Sequence, residues 1–132
     1  MHLATNQKIG GSSPSGGTKN YCMKIREMGW FLKLFPIMGI TLAPFGIYIE
    51  KEYMTWNWII NHEKIHWKQQ SEMLIIFFYL WYLIEWGLKY FKYRKDAYYN
   101  ISFEREAISN EHDLKYLETR RHYSWFKLIV KK

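Results

Sequence analysis

The sequence predicts a single domain that is mainly α-helical and carries a short β element. Apolar residues recur at helical spacing from Asn57 to about Gln70, and an apolar run that suits a second helix follows over residues 73–91. A third helix is expected from Ser102 to about Thr119, and the β-branched residues of Ile40–Ile49 favour a strand. A chain of 132 residues suits one domain with a modest core.

The amino-terminal segment differs in composition from the rest of the chain. Residues 1–22 are rich in Gly and Ser and lack an apolar run, which predicts a disordered leader. The domain is therefore expected over residues 23–132, and Met23 is an alternative start of the chain. A single cysteine, Cys22, excludes an internal disulfide and a cysteine-rich zinc site.

The net charge of +7 is compatible with nucleic acid, an anionic membrane surface or simple solubility. The basic residues are scattered among aromatic and aliphatic ones and form no uninterrupted block, which argues against nucleic-acid binding. Aromatic residues make up 20% of the chain, far above ordinary usage, and this indicates extensive apolar or interfacial surface.

Two local signals refine the expected elements. Pro44 lies inside the predicted strand Ile40–Ile49, and since proline cannot donate a ladder hydrogen bond, the strand is expected at a sheet edge. Ser102 is a candidate N-cap of the third helix, because Glu104 and Glu106 follow in the first turn, where the helix dipole favours carboxylates.

The apolar run over residues 73–91 has two interpretations. It is either a buried central helix of a soluble domain or a membrane-associated helix, because twenty helical residues span about 30 Å. Glu85 would then lie inside or at the edge of the bilayer, at a cost of a few kcal/mol. Basic and aromatic residues near residue 90 suit an anionic membrane interface. The chain is thus expected to be membrane-associated or integral to a membrane, with a cytoplasmic location as the alternative.

The stretch NHEKIHWKQQ contains the motif HExxH, formed by His62, Glu63 and His66. Residues at i and i+4 of a helix lie one above the other, so two imidazoles can converge on one zinc ion. Glu63 lies beside the pair without being forced to ligate, and its carboxylate can act as general base. The motif therefore predicts two metal ligands and a catalytic base on one helix.

A third ligand must come from another part of the chain. A histidine in the pattern HExxHxxGxxH is excluded, because Gln69 and Glu72 occupy the corresponding positions. Glu72 is too close on the same helix. Glu85, His112 and His122 are weaker candidates, since paired or solvated charges explain them better. Glu104 and Glu106 remain, and only one of them can face the metal, because i and i+2 point about 200° apart on a helix.

These residues resemble the gluzincin metallopeptidases, in which a glutamate on a later helix completes HExxH. In the membrane-embedded prenyl-protein-processing proteases and their bacterial heat-shock relatives, the third ligand opens the pattern Glu-x-x-Ala-Asp. The stretch from Glu104 to Ala107 matches it, which selects Glu104, whereas Ile108 replaces the Asp that supports the site in that family. The sequence is also similar to small uncharacterised bacterial proteins regarded as minimal gluzincin-like domains. The resemblance covers about residues 40–120.

The resemblance implies a minimal gluzincin-like helical domain with an active-site helix, an apolar central helix and a Glu-bearing helix. It implies one Zn²⁺ held by His62, His66 and Glu104, a peptide or protein substrate, and an edge strand within Ile40–Ile49 that aligns this substrate.

Further residues are candidates for supporting the metal ligands or stabilising the transition state. Gln69 and Gln70 could hydrogen-bond a ligand imidazole or line the cleft, with exposure to solvent as the alternative. Glu106 is a candidate support by its position next to the third ligand. Tyr98 and Tyr99 are candidates for stabilising an oxyanion, by position only.

The competing hypothesis comes from another class of protein. It is a small non-enzymatic protein, membrane-associated, whose aromatic-rich helices bind a partner or lipid and in which HExxH is incidental. That hypothesis gives no reason for Glu104 to face the two histidines.

Overall fold

The structure is a computed structural model that describes residues 23–130. The predicted leader over residues 1–22 lies outside the described residues. Within them the chain forms three strands, four α-helices and five short 3-10 helices. The strands and α-helices are β1 (Ile25–Glu27), β2 (Gly39–Leu42), β3 (Gly46–Ile49), α1 (Asn57–Glu72), α2 (Ile76–Tyr93), α3 (Ser102–Asn110) and α4 (Tyr116–Thr119). The prediction of a mainly α-helical protein with a short β element is confirmed.

The sheet has the order β1-β3-β2, so β3 is central and β2 is an edge strand. β1 runs parallel to β3, with Ile25 opposite Ile47, and β2 runs antiparallel to β3, with Gly39 opposite Ile49. The prediction of one strand over Ile40–Ile49 is wrong in this respect, since the segment is a hairpin with Pro44 in its turn. Proline suits the turn because it has no N–H to donate to a ladder.

Gly46 makes this hairpin possible. Its φ of 152° is a conformation that residues with a side chain rarely adopt, and a Cβ there would lie 2.7 Å from the carbonyl oxygen of Lys24. The close approach allows β1, which the sequence did not predict, to pair with the start of β3.

The core has two parts. The hairpin packs its inward residues against α1, and this cluster contains Ala43, Ile47, Ile49, Ile59, Ile60 and Trp67. The second cluster joins α2, α3 and the carboxyl-terminal 3-10 helix, and it contains Phe78, Ile101, Phe103 and Trp125. The carboxyl-terminal segment is thus anchored by the buried ring of Trp125.

α1 and α2 are separated by a sharp break. Leu74 and Ile75 have φ angles of 52° and 61°, and the two helix axes differ by 110°. The predicted helix over residues 73–91 therefore begins later and ends at Tyr93. Among residues 23–130 no single helix combines the length and the apolar character needed to cross a bilayer, although the bent pair α1–α2 meets both criteria together.

The start of α3 is capped from another helix. Ser102 is the first residue of α3 and not its N-cap as predicted, since Ile101 occupies the cap position. The buried carboxylate of Glu85 in α2 accepts hydrogen bonds from the Ser102 backbone N–H (2.9 Å) and hydroxyl (2.6 Å). Lys89 lies 2.6 Å from the same carboxylate, so the buried charge is paired.

The predicted extension of this helix to Thr119 is also wrong, because α3 ends at Asn110 and α4 is a separate turn. The amide of Asn61 in α1 donates to the carbonyl oxygens of Asn110 (3.2 Å), Glu111 (2.9 Å) and Asp113 (3.0 Å). These carbonyl groups belong to the last residue of α3 and to the turn that follows it, so a side chain from α1 fixes the end of α3.

We expect Glu85→Ala to lower the free energy of unfolding by about 3 kcal/mol, because Lys89 would lose its carboxylate partner and α3 its cap. Urea denaturation followed by circular dichroism measures this change. Glu118→Ala is the matched control, since Glu118 is exposed, and its effect should stay within about 0.5 kcal/mol. Equal stability of the two variants would contradict the capping role.

Candidate metal centre

Two amide side chains of α1 fix α3 alongside it. Asn61 binds the carboxyl-terminal end of α3, and eight residues later Gln69 donates to the Phe103 carbonyl oxygen (3.0 Å) near its start. The earlier residue of α1 therefore contacts the end of α3, and the later one contacts its start, so the two helices are antiparallel. The residues of the HExxH motif lie between the two amides and face the first turns of α3.

Three side-chain atoms converge between these helices. The Nε2 atoms of His62 and His66 lie 3.0 Å apart, and Glu104 Oε2 lies 3.4 Å and 3.3 Å from them, respectively. A tetrahedral ion with ligands at 2.0–2.1 Å requires ligand atoms separated by about 3.3–3.4 Å. The spacing of the three atoms therefore fits a cation such as zinc, and they form a group that could hold a metal ion.

The chemistry of these atoms also fits a cation. Glu104 Oε2 is buried and has no hydrogen-bond partner, whereas Oε1 accepts a hydrogen bond from the Tyr82 hydroxyl (3.0 Å). Each imidazole places its Nδ1 against an acceptor, Glu111 for His62 and Gln69 for His66, so Nδ1 carries the proton and Nε2 presents a lone pair. When neither Nε2 carries a proton, three acceptors face one another, and a cation or a second proton on an imidazole would satisfy them.

Gln69 and Glu106 support His66 from behind. His66 Nδ1 donates to Gln69 Oε1 (2.8 Å), and Gln69 Nε2 donates to Glu106 Oε2 (3.0 Å). Glu106 also accepts hydrogen bonds from the Tyr116 hydroxyl (2.9 Å) and from the guanidinium of Arg120. Gln69 and Glu106 are fully buried, so the solvent-exposed alternative for Gln69 is wrong. The chain of contacts orients the imidazole and fixes which nitrogen is free.

Glu111 supports His62 in the same way. Its carboxylate accepts a hydrogen bond from His62 Nδ1 at 2.8 Å. Glu111 was not predicted as a site residue, although it follows Glu104 by seven positions and therefore lies on the same face two helical turns later. Glu111 provides a carboxylate of the kind that the Glu-x-x-Ala-Asp pattern places at position 108, where this chain has Ile108.

Glu63 lies beside the ligands and is held by the edge strand. Its carboxylate is buried, and Thr41 in β2 donates a hydrogen bond to its Oε2 (2.7 Å). Gly39 makes room for it, because a Cβ at that position would lie 2.9 Å from Glu63 Oε1. Neither β2 residue was expected to matter from the sequence. The close approach of β2 to α1 therefore requires glycine at position 39.

The ionisable groups of the site perturb one another. Burial raises the pKa of the Glu63 carboxyl, and the imidazoles of His66 and His62 oppose this shift. Burial would lower the pKa of His66, but the Glu104 carboxylate outweighs it and raises that pKa to about 9. Burial acts to raise the pKa of Glu104, yet the imidazoles hold it well below its usual range. The carboxylate at position 104 is therefore ionised, as a metal ligand must be.

A cleft opens over the ligands on both sides of Glu63. One cavity of about 260 Å³ is lined by β2 and by residues of α1, α2 and α3 that include the three ligands. A second cavity of about 620 Å³ adjoins it and shares Ile37, Gly39, His62, Glu63 and Tyr98 with the first. Together the two cavities are large enough for a short segment of polypeptide.

The predicted tyrosines take different positions in this cleft. Tyr98 lines both cavities, and burial together with the Glu104 carboxylate raises the pKa of its hydroxyl. Tyr99 is exposed and lines only the second cavity. Tyr82 and Tyr79 in α2 line the first cavity, and neither was predicted to belong to the site.

Gln70 lies at the end of the same cleft, buried against the edge strand. Its amide accepts a hydrogen bond from the Ala43 N–H (2.9 Å) and donates one to the Thr41 carbonyl oxygen (2.8 Å). Gln70 thus lines the cleft and pairs with backbone groups of β2, and its exposure to solvent, the alternative drawn from the sequence, is wrong.

The weaker ligand candidates lie elsewhere. Glu85 caps α3, and Glu72 pairs with the guanidinium of Arg120. His122 is exposed and contacts Glu72, and His112 is exposed and lies against Trp58. None of these four belongs to the group of metal-ligating atoms found among residues 23–130.

No protein family, curated protein or solved structure matches the chain. The resemblance to gluzincins therefore rests on the residues of the site itself.

We expect wild-type protein purified without a metal-affinity resin to contain about one zinc ion per chain, measured by inductively coupled plasma mass spectrometry. Glu104→Ala should lose most of this zinc, since it removes one of three ligands. Glu111→Gln should bind zinc tenfold to a hundredfold more weakly in a chelator competition titration, because His62 would lose its acceptor. Glu118→Gln is the matched control and should bind as wild type does; undiminished zinc in Glu104→Ala would contradict the assignment.

Proposed function

We propose that this protein is a zinc-dependent metallopeptidase of the gluzincin type, which hydrolyses peptide bonds. The observation that carries the proposal is the convergence of His62, His66 and the unpartnered oxygen of Glu104, with a second buried carboxylate, Glu63, beside them. If the two histidines were ordinary surface residues of the helix, there would be no reason for a buried carboxylate oxygen that lacks a hydrogen-bond donor to face them.

The protein ligands would be His62, His66 and Glu104, two neutral imidazoles and one carboxylate, a set typical of catalytic zinc. A zinc ion bound there supplies Lewis acidity, which lowers the pKa of water and polarises a substrate carbonyl group. Gln69 and Glu111 keep both imidazoles in the tautomer that leaves Nε2 free to ligate.

Glu63 is the general base of the proposed reaction. It takes a proton from the attacking water as the water oxygen bonds to the peptide carbonyl carbon, and it passes that proton to the amine nitrogen as the C–N bond breaks. Burial raises the pKa of the Glu63 carboxyl, which makes the carboxylate a stronger base toward the attacking water. Thr41 holds the carboxylate in place through its hydrogen bond to Oε2.

Tyr98 is the candidate for stabilising the negative charge that develops on the carbonyl oxygen. It lines both cavities, and the raised pKa keeps its hydroxyl protonated and able to donate. Tyr82 lines only the first of the two cavities, and its hydroxyl donates to Glu104.

The edge strand β2 offers backbone groups to an extended substrate. Gln70 already pairs with Thr41 and Ala43 on the side of β2 that faces away from β3. Alternate residues of a strand direct their backbone groups to the same side, so Gly39 presents its N–H and C=O there too. Gly39 lines both cavities, so a peptide paired with it would lie beside Glu63.

The non-enzymatic alternative explains the apolar surface of the protein but not the site. It provides no reason for the spacing of 3.0–3.4 Å among the three ligand atoms, nor for the two acceptors that orient the imidazoles. These contacts favour the metallopeptidase.

We expect Glu63→Gln to retain zinc but to lower hydrolysis by about a hundredfold or more, because the amide cannot accept the proton. His66→Ala should lose both zinc and hydrolysis. The assay follows a mixture of fluorescence-quenched peptides with randomised sequences, with zinc content measured on the same samples. Full activity of zinc-loaded Glu63→Gln would refute the proposed mechanism.

We expect Gly39→Ala to lower hydrolysis at least about tenfold while zinc binding is kept, because the new Cβ would displace the Glu63 carboxylate and not the ligands. The control is Gly29→Ala, since nothing lies within 4 Å of a Cβ at that position. The peptide assay and zinc analysis of both variants provide the comparison. If the two variants hydrolyse the peptides equally well, the close packing of β2 on Glu63 has no part in catalysis.

A further inference from the structure

The outer face of α2 consists of exposed apolar residues along the whole helix. At 100° per residue its members fall within an arc of about 140°. These members are Ile76, Phe77, Leu80, Leu83, Ile84, Leu88 and Phe91. Their exposed fractions range from 45% for Ile84 to 78% for Phe91. A continuous apolar face of this length is unusual on a protein surface that meets water.

The opposite face of α2 carries the polar residues of the helix. Glu85 is buried there, Lys89 pairs with it, and the Tyr82 hydroxyl donates to Glu104. Glu85 and Lys89 thus point inward while the aliphatic and aromatic groups point outward, the reverse of an ordinary surface helix, and the exposed charge of α2 is Lys92 in its last turn. The inward polar residues have specific partners. Rotating the helix to bury its outer face would break these contacts, so the outer face stays exposed.

The apolar surface continues past the amino-terminal end of α2. Leu74 in the break between α1 and α2 is exposed, as is Phe45 in the turn of the β-hairpin. The two turns are close, because Gln70 near the end of α1 binds Ala43 beside Phe45. Across the cleft from α2, the loop before β2 exposes a further aromatic group that includes Trp30, Phe31 and Phe35.

Charge and aromatic residues indicate what covers this surface. Lys92 in the last turn of α2 is exposed, as are Arg94 and Lys95, which directly follow the helix; Lys95 also lines the second cavity. Trp86 and Tyr90 flank it, both partly exposed, and such rings favour the boundary between lipid tails and head groups. The chain as a whole carries a net charge of +7. Two copies would repel each other, so an anionic surface suits this face better than a second copy does.

We infer that the outer face of α2 docks onto an anionic lipid bilayer, with the apolar side chains in the acyl region and Lys92, Arg94 and Lys95 at the head groups. The inference concerns α2 and is independent of the proposed hydrolase activity. The first cavity is partly formed by Phe78, Tyr79 and Tyr82 of the same helix, so docking would hold the cleft close to the bilayer surface.

The test is flotation of the full chain with vesicles of phosphatidylcholine, alone or mixed with phosphatidylglycerol. Wild type should float with the mixed vesicles, and Leu80→Gln/Leu83→Gln should lower the bound fraction about tenfold or more. Thr55→Gln/Ser109→Gln is the matched control, because both residues are exposed and lie away from α2, and it should float as wild type does. Lys92→Gln/Arg94→Gln should reduce the preference for anionic vesicles, as should added salt.

A second measurement needs no variant. Tryptophan fluorescence of the wild-type protein should be quenched by brominated lipid in the mixed vesicles, since Trp86 lies beside the outer face and Trp30 in the neighbouring loop. Absence of both flotation and quenching would overturn the inference. A second result would also overturn it: wild type does not bind vesicles and is a dimer in light scattering, and the Leu80→Gln/Leu83→Gln variant is a monomer. A second copy of the chain would then cover the face.

Discussion

The structure depends on the placement of one buried carboxylate between two imidazoles. Glu104 Oε2 faces His62 and His66 at 3.3–3.4 Å and has no donor of its own. Removing three acceptors from water is unfavourable unless a proton or a cation lies among them. Glu111 and Gln69 each hold one imidazole by its Nδ1, and neither contacts the free carboxylate oxygen.

Those supporting contacts also hold the fold together. Asn61 and Gln69 attach both ends of α3 to α1, and the Gln69 contact continues through Glu106 to Arg120 in the carboxyl-terminal segment. In a domain this small, much of the interior beside α1 is therefore polar. Such interiors are stable only when every member has a partner, so the packing of the helices and the geometry of the site cannot vary independently.

Much of this arrangement could be predicted from the sequence, and the failures have physical causes. The i,i+4 spacing of His62 and His66 is a local property, and the structure brings Glu104 to them. The hairpin was not predicted because β-branched residues lie on both sides of its turn, so the segment resembled one continuous strand. The turn itself is set by Pro44 and Gly46. Glu111, Thr41 and Gly39 were missed because their importance arises from contacts between separate elements. Glu111 alone left a signal, its spacing of seven from Glu104.

The pairing of Gln70 with the edge strand has a consequence for behaviour in solution. Its amide mimics the peptide group of a neighbouring strand at Thr41 and Ala43, so that part of the sheet cannot template the addition of a strand from another molecule. On this edge of the sheet the stretch around Gly39 stays open, and it lies inside the cleft. Along β2, therefore, a strand from another molecule can pair only by entering the groove beside Glu63.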